Sequence, residues 1–170
     1  LTYSGAAMSL GEHTLTLTGG GTLSNRNSLK LGNASSVLNV TGPNTVSGLI
    51  ALTAGTLDID EDSSISGGIV QGGSAAIDVA TEKTLTYSGA AMSLGEHTLT
   101  LTGGGTLSNT NALTLGETSS VLNLAGPNTV SGPIELNAGT LGIDEDSVVS
   151  GAIVQGGSAS VDVAEGKTLT

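Results

Sequence analysis

"LTYSGAAMSLGEHTLTLTGGGTLSN" occupies residues 1–25 and returns letter for letter at residues 85–109. Aligning 1–84 with 85–168 needs no gap, and Leu169–Thr170 repeat Leu1–Thr2, so the covalent period is 84 residues and a third copy is beginning. A period of this length has two readings. Tandem immunoglobulin-like domains would each carry a separate core, whereas a solenoid would divide every copy into several coils.

The interior of the copy favours the solenoid. Residues 1–84 fall into four segments that begin at Leu1, Thr22, Thr45 and Ser64, each close to 21 residues long. Three short strand patterns recur in each, in the same order. The first carries one inward aliphatic, at Leu1, Leu23, Val46 and Ile65. The second alternates, with Met8/Leu10, Leu29/Leu31 and Ile50/Leu52 inward and a Gly-shortened version around Ile69. The third has the cleanest period of two, at Leu15/Leu17, Leu38/Val40, Leu57/Ile59 and Ile77/Val79. Three strands per turn make a triangular coil. The expected fold is an all-β, right-handed parallel β-helix (β-solenoid) with four coils per repeat and roughly 38 Å of length over eight coils at about 4.8 Å each. Residues 1–84 and 85–168 are then two copies within one continuous solenoid, followed by the start of a third at 169–170.

The two copies test this register from inside the chain. They differ at 18 of 84 positions. At inward sites the changes are Val40 to Leu124, Ile65 to Val149 and Ile77 to Val161, all aliphatic. At outward sites they are chemically loose: Lys30 becomes Thr114, Leu49 becomes Pro133, Ala51 becomes Glu135 and Asp58 becomes Gly142. Packed positions conserve volume and exposed positions need not. Pro133 fits at a strand start, where no ladder N–H is required.

Composition agrees with such a stack. There is no Phe, Trp or Cys, and Tyr3 and Tyr87 are the sole aromatics beside 27 glycines. Identical inward positions stack every coil, so the core is expected to be columns of Leu, Ile and Val, with little room for an aromatic ring on every floor. Outside, Thr22/Ser24, Thr45/Ser47, Ser64/Ser66 and Thr84/Thr86 are expected to line up as hydroxyl columns. Glycines at 5, 11, 32, 48, 55 and 67 and the "GPN" at 42–44 supply corners. Four Lys+Arg against 15 Asp+Glu give a net charge of −11, which argues against a nucleic-acid partner. The apolar runs are too short to span a bilayer as a helix, and a start inside a strand pattern without Met reads as a window of something longer.

The aromatic-poor, Gly/Thr/Ser-rich coils, with "GTLSN", "GTLDID" and "KTLTYSG", resemble the passenger regions of autotransporters and of filamentous-haemagglutinin-type secreted adhesins. The resemblance spans the whole chain and rests on composition and period, so it carries over no binding residue. It implies an extracellular stalk, fibre or adhesin of a bacterial surface.

Candidate chemistry is sparse. Asp58, Asp60 and Asp62 in "DIDEDSS" alternate as in calcium loops, and Asp78 is expected one coil away from Asp58 on the same outer column. The loop Gly and distal Glu of an EF-hand are absent, and Gly142 replaces Asp58 in the second copy, so a solvated acidic corner is the default. The same carboxylates raise the question of a polysaccharide-acting β-helix, but aromatic platforms are lacking, and Arg26 and Lys30 become Thr110 and Thr114. His13 and His97 in the "GEH" corners have no partner to form a triad or metal set. The Thr/Ser ladders resemble those of ice-binding solenoids, yet Ser takes about half the places and Val148 interrupts them. No catalytic, cofactor-binding or metal residue is therefore assigned and no enzyme activity is expected. The open ends of a solenoid call for continuation, so the expected partners are further copies of the chain, head to tail, as covalent repeats or stacked subunits.

Overall fold

The computed structural model describes all 170 residues and contains no helix. Twenty-four strands of two to five residues follow one another around eight coils, three to a coil. The first coil uses Thr2–Tyr3, Met8–Ser9 and Thr14–Leu17; the fourth uses Ser63–Ile65, Ile69–Gln71 and Ala75–Val79. The fifth uses Thr84–Tyr87, Met92–Ser93 and Thr98–Thr102; the eighth uses Val148–Val149, Ile153–Gln155 and Ser160–Val163. Every inter-coil strand pairing is parallel, so the chain is a β-solenoid, as its 21-residue segments predict.

The strands sort into three faces. The first and third each form an unbroken eight-stranded sheet along the whole stack. The second is two four-stranded sheets, one per copy, interrupted between Ile69–Gln71 and Met92–Ser93. Strands this short persist because each polar main-chain group is paired with the coil above or below, and each inward aliphatic stacks on its neighbours. Leu15, Leu38, Leu57 and Ile77 form one such column, and Leu29, Ile50 and Ile69 another. Buried aliphatics from both copies join in one cluster that runs through the repeat boundary without a break. The two copies share one core.

The repeat boundary departs from the sequence expectation in one respect. Leu85 was expected over Ile65; instead Tyr87 lies over Ile65, and Leu85 lies over Ser63. The third face makes the same step, with Leu101 rather than Leu99 over Ile77. The outward hydroxyl column therefore runs Thr22, Thr45, Ser64, Thr86, Ser108, and it reaches Ser108 four coils above Thr22, whereas the repeat counterpart of Thr22 is Thr106. Thr84 heads a separate column through Thr106 and Thr129 to Val148. Each copy is thus displaced by two residues along its strands relative to the one below. The bridge from Ser147 to Leu169 repeats the step from Ser63 to Leu85, so it belongs to every junction in the chain.

The corner between the first and second faces shows why glycine recurs there. Gly48, Gly67 and Gly89 sit directly above one another, and a Cβ added to Gly67 would overlap the Gly48 carbonyl oxygen. Alanine at 67 therefore forces the two coils apart at a point where hydrogen bonds hold them together. Gly67→Ala should cost about 1–3 kcal/mol, a melting-temperature drop on the order of 2–10 °C. Gly116→Ala, which meets nothing within 4 Å, should change it by less than about 2 °C in the same thermal melt.

Candidate interaction site at the repeat junction

The one aromatic ring inside the stack sits where the second-face ladder is interrupted. Tyr87 is fully buried, whereas a core of aliphatic columns alone was expected. In other coils the leading inward residue of the second face donates its N–H to a main-chain carbonyl of the next coil: Leu29 to Leu49, Ile50 to Gly68 and Leu113 to Pro133. Ile69 cannot, because the chain above it has stepped aside. Its N–H donates instead to the Tyr87 hydroxyl at 3.0 Å, and that hydroxyl donates to the Ala90 carbonyl at 2.6 Å. One phenol thus replaces a missing main-chain rung with a side-chain one. Burial raises the pKa of this hydroxyl, and the hydrogen bond from Ile69 opposes the shift in part. It stays protonated, and able to donate, beyond the range of an ordinary tyrosine.

Charged groups clasp the same boundary from outside. Lys83 donates to Glu61 at 2.7 Å, and Asp62 accepts from the Thr84 N–H at 2.8 Å. The pattern recurs at the end of the second copy, with Lys167 on Glu145 and the Thr168 N–H on Asp146. Hydrogen bonding to the carboxylate holds both lysines above their ordinary pKa. Asp62, one of the alternating carboxylates, is thereby engaged as a main-chain acceptor.

Asp58 and Asp78 do stand on adjacent rungs of one outer column, which runs Thr16, Asn39, Asp58, Asp78, Thr102. Partial burial, then the charges of Asp60 and Asp78, raise the Asp58 pKa. No group of three or more His, Cys, Asp or Glu converges in the arrangement of a metal site. His13 is an exposed corner residue and His97 a half-buried one; Arg26 and Lys30 are exposed and form no ion pair.

Buried polar side chains at the other corners were not anticipated. Asn44 donates to Leu17 and Gly42 carbonyls at 3.1 and 2.9 Å and accepts from Gly21 at 3.1 Å; Asn128 donates to Thr102 at 2.8 Å and accepts from Gly126. Ser63 and Ser147 donate to Gly42 and Gly126. Asn25 and Asn109 donate to carbonyls of the neighbouring segment, the latter to Asn111 and Pro133 at 2.9 and 3.2 Å. All bond to main-chain groups at or beside the turns, some of them carbonyls that also accept a ladder N–H, as Leu49 and Pro133 do. The clue in sequence is their recurrence at the same positions in both copies.

Two outcomes follow from these contacts. Tyr87→Phe removes the acceptor of Ile69 N–H and the donor to Ala90, so it should cost about 1–3 kcal/mol and accelerate amide exchange at Ile69 ahead of its neighbours. For Asp58, a raised folded-state pKa means that its stabilising contribution is complete below the unfolded value and is lost as pH rises through the folded one. Asp58→Asn should therefore raise the melting temperature at pH 7 and bring no gain near pH 3, checked by melts across that range.

Comparison of the chain with protein-family models, with curated proteins and with solved structures finds no match.

Proposed function

We propose that this chain is a structural repeat of an extracellular bacterial fibre or adhesin stalk, in which tandem copies lengthen one continuous solenoid, and that it has no enzymatic role. The observation that carries the reading is what happens to identical sequence positions with and without a neighbouring coil. Leu85 is fully buried at the internal junction, but its counterpart Leu1 is 83% exposed; Ile77 is fully buried, but Val161 is 48% exposed. Ile69 and Ile153 differ in the same way, at 3% and 42%. The apolar surface of each coil is half a contact, completed by the coil next to it. Burying such a side chain is worth about 1.5–3 kcal/mol, so added copies are favourable and the product of the fold is length.

The rest of the surface supports the same reading. The outward positions carry hydroxyls, some bonded to one another along the axis, as Thr45 is to Ser64 at 2.9 Å. A net charge of −11 keeps the flanks of such rods apart. The likeness to autotransporter passengers and secreted haemagglutinin-type adhesins supplies the extracellular setting. Antibody raised against the chain should label filaments on intact source cells, and those filaments should diffract with a layer line near 4.8 Å and a four-coil repeat of about 19 Å. Labelling only after permeabilisation would overturn the location, and the absence of the axial spacing would overturn the fibre.

A further inference from the structure

We propose that the interrupted second face, between Ile69–Gln71 and Met92–Ser93, is a binding site for neighbouring hydroxyls, the diol edge of a small polyol or a saccharide. The site lies in the interior of the stack and stands whether or not the chain is a stalk.

Alternate residues of a parallel strand direct their main-chain groups to opposite sides. On the fourth coil the Gly72 N–H bonds back to the Leu52 carbonyl; on the fifth, the Met92 and Leu94 N–H groups bond onward to the Ala112 and Thr114 carbonyls. The main-chain groups of Ile69 and Gln71 below, and of Ala91 and Ser93 above, therefore face one another across the interruption. In a closed ladder the Ser93 N–H would bond to the Ile69 carbonyl and the Gln71 N–H to the Ser93 carbonyl, as the Leu10 N–H bonds to the Lys30 carbonyl at 3.0 Å. Here the two strands do not pair, and of these groups only the Ile69 N–H has a partner, the Tyr87 hydroxyl.

Width decides what can enter. Cα atoms of the two strands come within 8 Å of each other, whereas a third strand between them would need about 9.6 Å, two ladder spacings. One oxygen that accepts from an N–H and donates to the carbonyl opposite widens a rung from about 4.8 Å to roughly 7 Å. A single row of hydroxyls fits, and a peptide does not. Tyr87 already bonds in this way, accepting from Ile69 at 3.0 Å and donating to Ala90 at 2.6 Å. The next two rungs ask for the same group about 3.3 Å apart, a spacing that hydroxyls on adjacent carbons match. The seam opens as a cleft of about 290 Å³. Gln71 lines it, 8% exposed, with its Nε2 on the Thr98 carbonyl at 2.9 Å and its buried Oε1 without a partner. A buried acceptor of this kind gains from a hydroxyl that reaches it. Val70 and Ala91, both exposed, supply apolar surface for the carbon side of such a ligand, and no carboxylate, lysine or arginine lines the cleft, which suits an uncharged one.

Titration of the full chain with ethylene glycol, trimethylene glycol and methyl glucoside, followed by NMR of the backbone amides, tests the site. Ethylene glycol should move the Gln71 and Ser93 amides along a saturable curve, and trimethylene glycol, whose hydroxyls sit one carbon further apart, should bind more weakly. The same shifts from methyl glucoside assign the cleft to a saccharide edge; their absence with that probe assigns it to small polyols. Gln71→Leu places there the residue that Leu52 supplies one coil below. It should still fold, by thermal melt, and bind about fivefold more weakly, the loss of one hydrogen bond. Ser93→Pro removes an N–H that no ladder bond uses and should abolish saturable binding. Uniform, unsaturable shifts mean that the cleft holds water only, and they overturn the site. So does an equal response to both glycols, or undiminished binding by a folded Gln71→Leu or Ser93→Pro chain.

Discussion

The main-chain ladder that runs parallel to the axis is the constraint on which the rest depends. No strand here exceeds five residues, and none pairs with its own coil, so each coil is held in shape by the coils on either side. Hydrogen bonds and side-chain columns therefore act along the same direction. This explains why inward residues tolerate only aliphatic exchange between copies while outward ones change freely. It also explains why the last coil exposes residues that are buried in its counterpart: a coil without a neighbour has lost a partner for both its backbone and its core.

Corners are where that ladder fails, and the chain uses three different devices to repair it. Where two coils must touch backbone to backbone, as at Gly48 and Gly67, the side chain is removed. Where a carbonyl or N–H would be buried without a partner, Asn44, Asn128, Ser63 or Ser147 supplies one. Where the copies meet, a tyrosine spans the gap and bonds on both sides with a single hydroxyl. Lys83 and Asp62 close the same boundary at its surface. Side chains thus bond the junction both inside the stack and at its surface, although it is also where one sheet is interrupted. It also winds the stack, because equivalent side chains of successive copies are offset by two residues and do not lie on a line parallel to the axis.

The fold was legible because its period is written into covalent structure: an 84-residue repeat, 21-residue segments, and alternation of Leu, Ile and Val with Thr, Ser and Asn within each. The buried asparagines and serines were not legible, since a polar residue at a strand end reads equally well as the start of an exposed turn. Asp58 and Asp78 were placed on one column correctly, from strand register alone. Their neighbours Asp60 and Asp62 turn with the corner, and whether a run of carboxylates converges there depends on backbone direction, which alternation does not encode.

By itself, then, the sequence determined the number of coils, the number of strands in each, and the face on which the alternating aliphatic residues of each strand lie. The tertiary structure alone decided how one copy sits on the next. Side chains alternate with a period of two, so a shift of two residues leaves every inward residue inward and every outward one outward. Leu85 over Ile65 and Tyr87 over Ile65 satisfy the same pattern of alternation. What separates them is the reach of a phenol across a corner to an N–H and a carbonyl on different coils, a contact between groups that no local pattern brings together.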